Sequence, residues 1–259
     1  EKGFVDVEAL ADLIRPDTTL ISIMAVNNEI GSVQPIEAIS ELLADKPTIS
    51  FHVDAVQALA KIPTEKYLTE RVDFATFSGH KFHGVRGVGF VYIKSGKKIT
   101  PLLTGGGQER DYRSTTENVA GIAATAKALR LSMEKLDIFT SKTGQMKAVI
   151  RQALLDYPDI FVFSDEEDFA PHILTFGIKG VRGEVIVHAF EDYDIFISTT
   201  SACSSKAGKP AGTLIAMGVD KDKAQSAVRL SLDLENDMSQ VEQFLTKLKL
   251  IYNQTKKVR

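Results

Sequence analysis

In the stretch SFHVDAVQALAK, residues 50–61, a β-branched and aromatic run ends on Asp54 and passes at once into small and apolar residues at helical spacing. The first part reads as a buried strand over 49–53 and the second as a helix over 56–61. The same succession recurs on both sides. Strands are expected at 20–26, 74–77 and 89–93, and helices at 7–14 and 35–43, the latter with Pro35 in its first turn. Such alternation is the signature of an α/β fold in which helices cover a mainly parallel sheet. Polar residues collect just past the strand ends, the rim where open α/β sheets bind ligands.

Further along, a helix is expected over 116–136, with Val119, Ile122, Ala123, Ala126, Leu129, Met133 and Leu136 on one face, connecting two domains. Beyond it the pattern is mixed, with helices at 142–155, 183–190 and 241–252 and strands at 160–163, 172–176, 195–198 and 228–232. This divides the chain into part of a large domain, 1–135, ending in the connector helix, and a smaller α+β domain, 136–259. No internal repeat or low-complexity segment is present.

The 259 residues carry a formal charge of −3 with acids and bases interspersed, so no nucleic-acid stripe or membrane-binding surface is indicated. No run of about 18 apolar residues occurs, and the opening EKGFVDVEAL has neither the basic start nor the apolar centre of a signal peptide, which makes a cytoplasmic location the expectation. The chain starts on Glu1 and is expected to be a piece of something longer. Its one cysteine excludes an internal disulfide framework, and no acid or histidine cluster indicates a metal site. That cysteine, Cys203, stands in ISTTSACSSKAGKPAG, residues 197–212, a polar, glycine-containing run unsuited to a core and expected to be mobile.

The densest chemistry is in FATFSGHKFHGVRGVG, residues 74–89, where a strand delivers Ser78, Gly79, His80 and Lys81 into a turn. Alone, Lys81 reads as a surface amine and Asp54 as a helix N-cap. Together they end two successive strands, and an acid with a desolvated lysine is what a pyridoxal phosphate site requires, the acid at the ring nitrogen and the amine at the aldehyde carbon.

HVDA, SGHK, GGG followed by QERDYRSTT, and SAC, in this order over essentially the whole chain, resemble the cysteine desulfurases of the class V aminotransferase group (NifS/IscS-like), pyridoxal-phosphate enzymes of fold type I. The resemblance implies that Lys81 forms the Schiff base, Asp54 partners the ring nitrogen, Gln57 bonds the phenolic oxygen, and Ser78 and His80 bind the phosphate. It implies that Thr116 reaches the cofactor of the neighbouring subunit of a homodimer. Asn28, in VNNEIGSVQP, would lie near cofactor and substrate, and Arg229, in AVRLSLD, would grip the substrate α-carboxylate through its planar fork. Cys203 would take sulfur from L-cysteine as a persulfide, release alanine, and pass the sulfur to an acceptor protein such as an iron–sulfur scaffold or a tRNA or thiamine sulfur-transfer enzyme. Lys206 and Lys209 would favour its thiolate. Gly105, Gly106 and Gly107 would shape a loop, His52 would pack beside Asp54, His83 would face the pocket, and His172 and His188 would be structural.

Two departures qualify the resemblance. The family's N-terminal segment, with its phosphate turn and ring-stacking histidine, has no counterpart here, and Asp233 stands where glycine is frequent after the RLSL strand. A selenocysteine lyase, another class V enzyme, or an inactive fragment keeping only interaction surfaces are the alternative readings.

Overall fold

Strict alternation decides the first sheet. In the computed structural model, which describes residues 2–200 and 212–257, Phe51 and Val53 of β2 (Ser50–Asp54) are fully buried, while Ser50, His52 and Asp54 face the other side. Ala75 and Phe77 of β3 (Phe74–Ser78) repeat the pattern. With β1 (Leu20–Met24) and β4 (Gly89–Ile93) these strands form a four-stranded sheet in the order β1-β2-β3-β4. The first three run parallel, with Met24 opposite Asp54 and Asp54 opposite Thr76; β4 is antiparallel to β3. Helices α1 (Val7–Leu13) and α2 (Ile36–Leu42) pack together, α1 being capped by the Asp6 carboxylate on the Ala9 N–H at 3.0 Å.

Buried Asp73, just ahead of β3, fixes the other end of this sheet. Its Oδ2 accepts from the Phe51 N–H at 2.9 Å and from Arg71 Nη1 at 2.8 Å, and Lys97 Nζ lies 3.2 Å from Oδ1. Burial alone would raise its pKa, but the Phe51 N–H, Arg71 and Lys97 outweigh it and hold the carboxyl below its ordinary value.

Two helical expectations are corrected in this part of the chain. Residues 56–61 form successive turns, with Leu59 N–H on Ala55 O and Ile62 N–H on Ala58 O, because Ala60 adopts a left-handed φ of 59° that no continuous helix allows. The connector expected over 116–136 is shorter: Asn118 caps α3 (Val119–Met133) by accepting the Gly121 N–H, and a new helix, α4 (Leu136–Leu155), follows. Its packed side is also not the apolar face read from the sequence. Val119 and Ile122 are 71% and 44% exposed, whereas Gly121 and Thr125 are buried. Small size decides this, since a Cβ on Gly121 would lie 2.8 Å from Val88 Cγ2.

The chain divides into two compact units. One holds Asp6–Ala25 and Pro35–Leu136, with the sheet above; the other holds Glu1–Val5, Val26–Gln34 and Asp137–Arg259. Residues 26–34, read from the sequence as part of the large domain, therefore group with the C-terminal residues.

The second unit has an all-antiparallel sheet in the order β5-β6-β8-β7, made of β5 (Ile160–Val162), β6 (Ile173–Ile178), β7 (Ser198–Thr199) and β8 (Ala227–Ser231). Its main core gathers Met146, Ile150 and Leu154 of α4, Ile186 and Phe190 of α5 (Gly183–Glu191), and Phe244, Leu248 and Ile251 of α8 (Met238–Lys257) around Leu174, Phe176 and Val228. A smaller cluster joins Ile30, Phe169, Leu214, Ala224 and Ala227, the last three carried on or beside the short helices α6 (Gly212–Ala216) and α7 (Lys221–Gln225). No helix among the described residues is long and apolar enough to cross a membrane.

Lys147 of α4 is buried, with Nζ donating to Ala170 O at 2.9 Å and lying 5.5 Å from the centre of the Phe169 ring. Burial, followed by the positive charge of Arg151, outweighs Asp165 and Glu166 and lowers its pKa to about 8. The folded-state value lies below the unfolded one, so between about pH 8 and 10.4 the unfolded chain holds a proton that the folded chain has released. Stability should rise with pH across that window. We expect the unfolding free energy of the wild type, from denaturant curves, to gain on that of Lys147→Met from pH 8 to 10.4, by up to about 3 kcal/mol; parallel curves would contradict this.

Candidate active site

Asp54 and Ser78 end adjacent parallel strands, and the chain leaves Ser78 into a single 3-10 turn, Gly79–Phe82, that carries His80 and Lys81. The turn is tightly closed. Gly79 N–H bonds Val88 O at 2.9 Å, Gly84 N–H bonds Gly79 O at 2.8 Å, and His83 takes a left-handed φ of 67°. Helix α3 holds the turn from one side, with Ser132 Oγ donating to Phe82 O and Thr125 against Gly79. A Cβ on Gly79 would sit 2.9 Å from Val88 O and 3.0 Å from Thr125 Cγ2. We expect Gly79→Ala to displace the turn, destabilise the unit by about 1–3 kcal/mol, and weaken pyridoxal phosphate retention in equilibrium dialysis. Retention and melting equal to wild type would show that the turn tolerates the methyl group.

The polar groups at these strand ends are available for a ligand. Asp54 Oδ1 accepts the Val56 N–H at 3.0 Å, and no described residue donates to Oδ2. The half-buried Lys81 amine and the Ser78 hydroxyl make no hydrogen bond or ion pair with any described residue. A carboxylate oxygen, an amine and a hydroxyl without a described partner at one sheet rim are groups of the kind a pyridoxal phosphate site uses. Gln57 is half-buried in the turns after β2, and His80 and His83 are exposed.

His52 does more than pack beside Asp54. From the middle strand it spans its neighbours, Nδ1 2.7 Å from Ser22 Oγ and Nε2 3.1 Å from Thr76 Oγ1. Burial lowers its pKa, opposed by the charge of Asp54, so the ring is neutral at neutral pH. Its partners were missed from sequence because register, not sequence spacing, sets Ser22 opposite His52.

The remaining candidates fall elsewhere. Thr116 is exposed in the irregular segment before α3, beyond a 3-10 turn in which Glu109, Arg110 and Asp111 all have positive φ. Asn28 and Arg229 belong to the other unit and meet there, Arg229 Nη1 donating to Asn28 O at 2.7 Å. It is thus the Asn28 backbone that the arginine holds, while the Asn28 side chain is exposed. Cys203, with Lys206 and Lys209, lies outside the described residues.

Residues 1–244 match the family described as aminotransferase class V. The chain belongs to that family. Among its relatives, this class V family member is 49% identical over 259 residues to a NifS/IcsS protein homolog of Lactobacillus delbrueckii subsp. bulgaricus, the match covering all of this chain and 67% of that protein. It is 36% identical over 261 residues to the cysteine desulfurase IscS of Clostridium botulinum, covering 65% of it. Among solved structures, a NifS-like protein superposes with a TM-score of 0.88 at 37% identity, over 97% of this chain and 66% of that one. The NifS-like protein of Rickettsia africae gives 0.86 at 30% identity, over 97% and 68%. The fold is therefore that of the NifS-like, fold type I proteins, and the chain spans about two thirds of the length of the relatives it matches.

Proposed function

We propose that this chain belongs to a cytoplasmic, homodimeric cysteine desulfurase that uses pyridoxal phosphate to take sulfur from L-cysteine and passes it to an acceptor protein. The observation that carries the reading is the unengaged set at the sheet rim, the Lys81 amine, Asp54 Oδ2 and the Ser78 hydroxyl. Bound there, the cofactor would act as an electron sink that weakens the bonds around the substrate Cα and Cβ.

Each residue then has a separate task. Lys81 would be the residue that holds the cofactor through its aldehyde carbon. Asp54, whose Oδ1 accepts the Val56 N–H, would hold the ring nitrogen. Gln57 would hold the phenolic oxygen, and Ser78 and His80 would hold the phosphate. Thr116, exposed ahead of α3, would reach the phosphate held by the second subunit. Arg229, whose Nη1 donates to Asn28 O, would grip the substrate carboxylate. Cys203 attacks the substrate sulfur as a thiolate; the new S–S bond replaces the Cβ–S bond, whose electron pair stays with the carbon product, protonated and released as alanine.

The test is to incubate the protein with pyridoxal phosphate, record the yellow absorbance of lysine-bound cofactor, add L-cysteine, and measure alanine together with persulfide. Absorbance with stoichiometric alanine is the expected result. A colourless protein, or one that processes selenocysteine and leaves L-cysteine untouched, would overturn the assignment.

A further inference from the structure

Lys81 sits between two points at which its turn meets α3. Ahead of it, Gly79 packs against Thr125, where an added Cβ would come within 3.0 Å of Thr125 Cγ2. Just after it, Phe82 is held twice: its buried ring meets Phe90 edge-on, with centroids 6.5 Å apart, and its carbonyl accepts from Ser132 Oγ at 3.2 Å. Thr125 and Ser132 are two helical turns apart and so lie on one face of α3. A single 3-10 turn is marginal by itself, with poorer hydrogen-bond geometry than an α-helix and with carbonyls at its end that have no internal partner. Gly79 O takes the N–H groups of His83 and Gly84. Phe82 O, the last carbonyl of the turn, is taken by the Ser132 hydroxyl, 50 residues away in the chain.

We propose that Ser132 is a positioning residue for Lys81: by capping the carbonyl of Phe82 it fixes the end of the turn to α3, and with it the place from which the amine extends. The inference rests on the reading of Lys81 as the group that bonds the cofactor aldehyde. With Gly79 stopped against Thr125 and Phe82 tied to Ser132, the backbone is set on both sides of Lys81. The amine is left with the freedom of its own side chain. That restriction matters for bonding a carbonyl carbon, because a misplacement of about 1 Å can cost about a hundredfold in rate. The support is a regular element rather than a loop, since α3 runs for 15 residues and is capped by Asn118.

Hydrogen exchange at the Gly84 amide, whose partner is Gly79 O, tests the cap in the cofactor-free chain. Ser132→Ala should speed it by up to about tenfold, the worth of one hydrogen bond, and Ser132→Thr, which keeps a hydroxyl, should stay close to wild type. Alanine is the better helix former, so α3 persists in the first variant. In equilibrium dialysis, Ser132→Ala should weaken pyridoxal phosphate binding by up to about tenfold, and Ser132→Thr should restore it. The effect should vanish when Lys81 is itself replaced by alanine, because a positioning residue acts through the group it positions. Unchanged exchange would overturn the cap. Unchanged binding, or equal weakening with and without Lys81, would overturn the positioning role. Should the wild type take up no cofactor, the pyridoxal phosphate reading fails by itself and the amine is judged directly. Trace acetic anhydride should then acylate Lys81, located by peptide mass, several-fold faster in Ser132→Ala than in the wild type, and equal rates would overturn the proposal.

Discussion

Replacing Lys81 with alanine is expected to lower alanine formation from L-cysteine by roughly 10³-fold or more, the scale seen when a covalent catalytic group is removed. The turn Gly79–Phe82 that carries it is closed by hydrogen bonds at both ends and held by α3. The variant should still bind pyridoxal phosphate reversibly through Asp54 and Ser78, and should lose the mass increment that borohydride fixes on the wild type. Retention of that increment on another lysine would show that the amine was wrongly assigned. The turn's geometry makes the melting temperature a control, since Lys81 contacts no described polar partner and its removal leaves the fold intact.

Replacing Cys203 with serine should have an effect of similar size on sulfur transfer, with a different signature. Cofactor absorbance and the spectral response to L-cysteine should persist, whereas protein-bound persulfide should vanish completely, because the chain contains no other cysteine. An oxygen nucleophile cannot carry sulfane sulfur, and serine is not ionised in the neutral range. Undiminished alanine production by Cys203→Ser would remove the thiol relay from the mechanism.

What could be read in advance follows a physical division. The strands around Asp54 and Lys81 were legible because alternating burial in a sheet writes itself into the sequence with period two, and the ends of such strands are where polar residues gather. The helix expected after Asp54 was not, since QALAK has helical composition and only the left-handed backbone at Ala60 interrupts it. The face of α3 was misjudged for a related reason. Apolar periodicity points to the wide stripe through Val119 and Ile122, but close approach to the Lys81 turn is governed by small residues, Gly121 and Thr125, which carry little hydrophobic signal. That Asp54 and Ser78 end neighbouring strands with Lys81 just beyond was within reach of strand reading, whereas His52 bridging Ser22 to Thr76, and Glu29 holding Thr213, depend on strand register and on contacts 184 residues apart, which one sequence does not display.

The grouping of residues 26–34 with the C-terminal unit bears on how the chain can be handled and how it folds. The path crosses between units four times, after Val5, Ala25, Gln34 and Leu136. A gene cut at position 136 would therefore yield a C-terminal piece lacking Ile30, and the Ser164 and Thr175 hydroxyls would lose the carbonyls they bond. During synthesis, residues 26–34 emerge early and must wait for more than a hundred later residues before their partners exist. High contact order of this kind slows folding.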